Sequence, residues 1–362
     1  MMELQPLHPG RQTALDMAGR VASFLDEARV SLDLALYDVR LPGEPGDLVA
    51  GALRAATERG VRVRVAYNAD HDERLFPPPP RTEPELIEKL PFDTRGVPGI
   101  PDLMHHKYVV RDRESVWTGS TNWTTDSWTI QENVVLVAEA PELAAEFTQN
   151  FQELWQTGDV SDSGHREPRR LELEGRDVRA WFTPGHGEEL SHRIAGAIGR
   201  ARRRVRIASP VITAGPVLGT LAEVAAEARV DLRGVVDRTQ MEGVVYQWRT
   251  NGRSAWKIPI LASVLGQADF KGKVSIPWTP ESIHDFMHAK VTVCDDTLFI
   301  GSFNLSRSGE QNAENVVELQ DPELAERVAA FVDEVRERYE AMPAPDGGRP
   351  GSGSPGPPPD RR

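Results

Sequence analysis

The pattern H-x-K-x4-D occurs twice in this chain, at His105-Lys107-Asp112 and again at His288-Lys290-Asp295. Each copy leads into G-S-x-N, as Gly119-Ser120-Thr121-Asn122 and as Gly301-Ser302-Phe303-Asn304. Each then reaches a Glu-Asn pair, Glu132-Asn133 and Glu314-Asn315. So many identities, twice in the same order, require an internal duplication, and any fold must supply the same frame twice. The flanking segments agree. The run Val21 to Ala28 with Leu32 and Leu34 returns as Ile194 to Ala201 with Val205 and Ile207, and the segment from Pro141 returns from Pro322.

Within the first half, Leu15, Ala18, Val21, Ala22 and Leu25 keep helical spacing up to Ala28. Val30, Leu32, Leu34 and Leu36 alternate with Ala35 and Tyr37 on the other face, as a strand buried on both sides does. A loop with Pro42 and Pro45 precedes a helix expected from Asp47, as its cap, to Arg59, and Val61, Val63 and Val65 begin a second strand. Strand, helix, strand at these lengths is a βαβ unit. Strands are also expected at Lys107–Val110, Ser115–Thr118 and Val134–Val137, and a closing helix at Pro141–Gln156. Residues 1 to about 12 read as a loose arm, and residues 68–103, with Pro77 to Pro80 and Gly96 to Pro101, as irregular. That proline-rich stretch suits either a substrate rim or a surface connection. The expected division is 12–158 for one α/β lobe, 159–176 for a linker, 177–341 for the second lobe and 342–362 for a disordered Pro/Gly-rich tail.

At 362 residues there is room for two cores, and 39% hydrophobic with 27% charged residues describes a soluble globular chain. No apolar run is long enough to span a bilayer and no secretory signal is visible, so a cytoplasmic location is expected. A single cysteine, Cys294, leaves no disulfide framework or cysteine-rich metal site, and reads as a small core residue. The net charge of −13 opposes tight non-specific binding to a phosphate backbone. It weighs less against an enzyme that meets one phosphodiester at a time.

A neutral histidine can attack phosphorus and a charged one can donate a proton. Two of them facing one phosphodiester complete a double displacement, with a phosphohistidine as the intermediate. Lys107 and Lys290 would neutralise the phosphoryl oxygens, while the Asn122 and Asn304 amides and the Ser120 and Ser302 hydroxyls would donate hydrogen bonds. With two lysines in that role, no metal and no cofactor is expected. On a strand, His105 and Lys107 would share one face, as would His288 and Lys290.

At these residues the chain resembles the phospholipase D superfamily, over roughly residues 12 to 340. The resemblance implies two duplicated α/β/α sandwich lobes related by a pseudo-twofold, with one active site where both motifs meet. His105, Lys107, Asp112, His288, Lys290 and Asp295 are then the candidate catalytic set, the two aspartates holding the turn after each motif strand. Glu132 and Glu314 would orient the histidine rings, and family habit favours His105 as the nucleophile. The run from Met104 to Thr124 is similar to the nuclease and cardiolipin-hydrolase branch, whose one-motif chains dimerise; here a monomer would serve as its own pair. Cardiolipin synthases usually bring N-terminal membrane helices, which this sequence lacks, and tyrosyl-DNA phosphodiesterases lack the motif aspartate. The substrate implied is a phospholipid head-group phosphodiester, hydrolysed or transferred to an alcohol, with peripheral membrane contact. The alternatives are a nuclease using the same two histidines and a non-catalytic binding module.

Several residues are open to two readings. Arg200, Arg202, Arg203, Arg204 and Arg206 suit a phosphate patch or a helix C-terminus. Trp123, Trp128, Trp248, Trp256 and Trp278 suit base stacking, a lipid interface or core packing. His106 reads as a bystander on the opposite strand face, and His186 and His284 as polar contacts.

Overall fold

The computed structural model describes residues 1–71, 92–277, 279 and 282–346. The first sheet has the order Met2–Leu7, Asn133–Glu139, Ser115–Gly119, Lys107–Arg111, Ser31–Leu36, Arg62–His71, Asp93–Gly99. The second repeats it as Arg176–Phe182, Asn315–Gln320, Thr297–Gly301, Val291–Cys294, Arg204–Ala208, Asp231–Asp237, Asp269–Lys273, with Leu171–Leu173 and Glu340–Ala341 added at the two edges. The expected βαβ unit is present: Ser31–Leu36 and Arg62–His71 are parallel and joined through the helix Glu44–Glu58.

The layers follow from which faces are apolar. Outer helices Ala14–Asp26 and Glu44–Glu58 cover one face of the first sheet through Met17, Val21, Leu25, Val49 and Leu53. The helices Pro141–Thr157 and Pro322–Arg336 lie between the two sheets. Their residues Phe147, Phe151, Val328 and Val332 share one continuous core with Val110 and Leu136 of the first sheet and Val293 and Val317 of the second. Burying one such aromatic side chain contributes on the order of 2–3 kcal/mol, so this middle layer binds the lobes together strongly.

Five expectations need correction. The supposed loose arm is the edge strand Met2–Leu7, antiparallel to Asn133–Glu139. It is the counterpart of Arg176–Phe182, and Pro6 is tolerated because the strand is at the sheet edge. Residues 93–99 of the supposedly irregular region form the opposite edge strand, with Pro98 in it; the prolines Pro77 to Pro80 lie outside the described residues. The second helix starts at Glu44 with Gly43 as N-cap, because Pro45 fits a first helical turn and does not block it; Asp47 is inside the helix. The supposed linker ends in the strand Leu171–Leu173, which pairs with Arg176–Phe182. At the far end the Met342 N–H donates to the Phe270 carbonyl and its side chain is buried, so order extends past the expected tail boundary.

Candidate active site

The two motifs meet where the sheets abut. The His105 N–H donates to the Ala313 carbonyl at 2.9 Å and the His288 N–H to the Glu132 carbonyl at 3.1 Å, so each motif histidine is hung on the other lobe's backbone. Short parallel bridges, Met104 with Ala313 and Glu132 with Met287, reinforce this. Beside each motif a side chain from the strand two places along the sheet accepts the N–H before the histidine. Asn68 Oδ1 accepts from Met104 and Asp237 Oδ2 from Met287, both at 3.0 Å.

His105 and His288 line one cleft of about 360 Å³ together with Asn122 and Asn304. His105 precedes the strand Lys107–Arg111 and is not within it. The cleft extends over Tyr37, Asp38, Arg40, Gln131, Phe286 and the helix Arg238–Asn251, which contributes Gln240, Val244 and Gln247. Lys107 and Lys290 are not among the lining residues; they are buried, 2% and 3% exposed, and each donates to the carbonyl of its own motif histidine. The Lys107 ammonium also sits 4.7 Å from the centre of the Tyr37 ring, whose edge meets His105. An ammonium has three donors, so each lysine keeps capacity for a phosphoryl oxygen. Asn122 and Asn304 each present a buried Oδ1 with no hydrogen-bond partner.

The ring partners of the histidines differ. His105 Nδ1 is 2.7 Å from a Glu314 carboxylate oxygen. His288 Nδ1 is 3.1 Å from Asn133 Oδ1, not from Glu132. The expectation for Glu132 fails because of a one-residue slip. Gly301 pairs with Val316, whereas Gly119 pairs with Val135. Ser302 N–H accordingly donates to Asn315 and Ser120 N–H to Val134. In an extended segment a shift by one turns every side chain to the other face, so Asn133 takes the place that Glu314 takes in the other lobe. Glu132, fully buried, is bound instead by Lys273 at 2.8 Å and by the Tyr339 hydroxyl.

Other candidates are reassigned by their contacts. The Ser120 and Ser302 hydroxyls are buried and turned away from the cleft, Ser120 to Asn133 and the Val134 N–H, Ser302 to the Asn315 N–H. Asp112 and Asp295 lie at the far end of the motif strands. Asp112 accepts the N–H groups of Arg29, Val30 and Ser31, and Asp295 those of Arg202, Arg203 and Arg204. Both have positive φ, 55° and 53°, in the turn after the strand. They are clamps and not members of the cleft. Asp295→Ala is expected to lower unfolding stability by about 1–3 kcal/mol, the loss of three charge-assisted hydrogen bonds from largely exposed amides; a urea midpoint equal to that of the parent chain would contradict this role.

None of the five clustered arginines lines the cleft, and three are paired elsewhere: Arg203 with Asp296, Arg204 with Glu326, Arg206 with Asp231 and Asp333. Trp123, Trp128 and Trp248 are in the core, Trp256 is exposed, and Trp278 lies outside the described residues. His106 is buried against Tyr108 and Phe182, His186 bonds Glu189, and His284 stacks on Phe286 while its Nε2 meets the Thr279 carbonyl. Burial pushes the Cys294 thiol up, away from reactivity. Sequence reasoning missed Tyr37, Asp38, Arg40, Lys273 and Tyr339; isolated single residues carry no spacing signal.

Electrostatically the empty cleft is crowded. Burial, then the Lys107 and Lys290 ammoniums, hold the His105 imidazole neutral well below its usual range. Burial, then Lys290, Lys107 and His105, do the same to His288. Burial pushes Lys107 down to about 7 against the pull of Glu314 and Asp38, and pushes Glu314 up to about 7. Lys290 is also driven down by burial and by Lys107. The cationic forms of the two histidines and two lysines are disfavoured in the empty cleft, and a bound anion would favour them.

Among the described residues no helix is long and apolar enough to cross a membrane, and no cluster of three metal-ligating side chains occurs. The human mitochondrial cardiolipin hydrolase is 31% identical over 137 residues, 38% of this chain and 50% of that enzyme. A phospholipase D of Rickettsia felis is 28% identical over 131 residues, 36% of this chain and 60% of that one. The chain thus spans less than two thirds of either relative. The crystal structure of a phosphatidylserine synthase from Haemophilus influenzae superposes with a TM-score of 0.63 at 15% identity, over 92% of this chain and 86% of that one, a likeness of fold. The profile of the family described as cardiolipin synthase, PLD-like domain, matches residues 21–155 and 194–336, more than half of the sequence and both of its copies, and the chain belongs to that family within the phospholipase D superfamily.

Proposed function

We propose that the chain is a phosphodiesterase that cleaves a phospholipid head-group phosphodiester through a phosphohistidine, without a metal. His105 Nε2 attacks phosphorus while Nδ1–H is held by Glu314, and the P–O bond to the leaving alcohol breaks. His288, whose imidazolium the bound phosphodiester anion favours, gives that oxygen its proton. It then takes a proton from water, which attacks phosphorus and releases His105. Lys107, Lys290, Asn122 and Asn304 bind the phosphoryl oxygens throughout. The carboxylate on His105 supports its assignment as nucleophile, since the ring becomes cationic when it is phosphorylated.

The observation that carries the lipid reading is the cleft wall. Its lining includes the apolar residues Pro210, Val211, Val244, Ile276, Pro277 and Phe286. Ile276 is 44% exposed, and Val274 at 68% and Ile283 at 57% are exposed in the same segment of the chain. Arg40, the one lysine or arginine among the described lining residues, is held in a two-point ion pair by buried Asp38. A nucleic-acid groove would need a row of cations and stacking rings; an acyl chain or a membrane surface needs apolar side chains.

Turnover is tested on phosphatidylcholine vesicles, cardiolipin vesicles and single-stranded DNA, each with and without EDTA. Hydrolysis of either lipid, undiminished by EDTA, is the expected result. Cleavage of DNA alone would reject the lipid reading, and loss of all activity in EDTA would reject the two-lysine site.

A pH dependence also follows. With Lys107 depressed to about 7, the empty site loses its ammonium as pH rises through that value, so kcat/KM should fall above about pH 7. A bound phosphodiester anion favours the charged lysine, so the alkaline limb of kcat should lie higher. Superimposable limbs for the two parameters would contradict the lysine's role.

A further inference from the structure

The spacing from Gly119 to Glu132 equals that from Gly301 to Glu314, yet the two segments settle one residue apart in register. Past the Glu-Asn pair the first copy is one residue longer, nine residues from Glu132 to Pro141 against eight from Glu314 to Pro322, and the shifted register needs a contact that holds Glu132 away from the His288 ring. Lys273 is the residue placed to do so. It ends the strand Asp269–Lys273, opposite Asp237, and is 6% exposed. Its ammonium crosses to the other lobe, where it reaches Glu132 Oε2 at 2.8 Å and the Ile130 carbonyl at 3.2 Å. On its own lobe it is 3.5 Å from the Phe286 carbonyl, two residues before His288. Tyr339 adds its hydroxyl to the other Glu132 oxygen. In the first sheet the register position matching Lys273, opposite Asn68, is held by the core residue Val97, so that lobe has no cation there and Glu314 stays with His105.

We propose that Lys273 is a positioning residue: by binding Glu132 it holds residues 130–133 in the register that presents Asn133 to the ring of His288. The two histidines then carry unlike partners, a carboxylate on His105 and an amide on His288. An amide oxygen accepts Nδ1–H and orients the ring without stabilising the imidazolium as a carboxylate does. His288 therefore releases its proton readily to a leaving oxygen, while His105 has a counter-ion for its phosphorylated state. The charged groups facing His288 are Lys290, Lys107 and His105, with Asp237 one residue away on the Met287 N–H. Those facing the Lys273–Glu132–Tyr339 cluster are Asp237, Asp285 and Arg338.

Only the kinetic part of this inference rests on the phosphodiesterase reading. The test is therefore read first without substrate, as the titration of the His288 ring by NMR in the full-length chain labelled with nitrogen-15 at histidine. Asn133→Asp should move that titration up by about one pH unit or more, because it gives the ring a carboxylate. Lys273→Met should also move it up, as Glu132, left without its cation, turns to the nearest imidazole. Lys273→Met with Glu132→Gln should return it to the parent position, since no carboxylate remains to turn. In turnover, Lys273→Met should lower kcat about tenfold with KM little changed, and carry the alkaline limb of kcat upward with the titration. An unmoved titration in Asn133→Asp, or in folded Lys273→Met, overturns the proposal. Should Lys273→Met not fold, Asn133→Asp and the double variant still decide it. Absence of turnover with the titrations as expected would instead reject the phosphodiesterase reading alone.

Discussion

His105→Asn is expected to lower turnover by about 10^4-fold or more, on every phosphodiester, because it removes the atom to which phosphorus is transferred. An asparagine fills most of the same volume, so the cleft and its lysines stay in place. His288→Asn should be as damaging on a lipid, whose leaving alcohol needs a proton. On a nitrophenyl phosphodiester the outcomes separate, since nitrophenolate leaves without one. There His288→Asn should release one burst of nitrophenolate and stop with phosphate on His105, as nothing deprotonates water. His105→Asn should give no burst. A burst from His105→Asn and none from His288→Asn would invert the assigned roles.

Glu314→Gln is expected to cost about 10^2- to 10^4-fold in kcat, with KM changed far less, by analogy with neutralising the acid of a catalytic triad. The carboxylate accepts Nδ1–H of His105 at 2.7 Å and so keeps the Nε2 lone pair toward phosphorus. A glutamine can turn its amide donor to the ring and select the tautomer whose Nε2 carries the proton. The substitution also removes the negative neighbour that supports the buried Lys107 ammonium, so the alkaline fall in kcat/KM should start at lower pH. A kcat within about threefold of the parent would mean that the ring is oriented by something other than Glu314.

Much of this site was legible in the sequence. The repeated motif located both histidines and both asparagines of the cleft and the two buried lysines, because a duplicated site leaves two similar signatures. Strands buried on both faces announced themselves through continuous apolar runs. The edge strands Met2–Leu7 and Asp93–Gly99 did not, since each contains a proline and only one side needs a partner. The register slip was only partly legible: the spacing is identical up to the Glu-Asn pair, and the one extra residue of the first copy lies after it, before Pro141. The cation on Glu132, Lys273, is distant in sequence and meaningful only once it reaches across to that carboxylate. The serines misled because a hydroxyl two residues from a catalytic asparagine is as useful for bracing a backbone as for touching substrate.

Unlike partners on the two histidines have a consequence for how such a site can change. In a twofold assembly of identical chains, any substitution appears in both half-sites at once, so acid and nucleophile must share one compromise environment. Here the halves are covalently joined and Glu314 and Asn133 are separate codons. One side can be tuned for bonding to phosphorus and the other for handing over a proton, each without disturbing its twin.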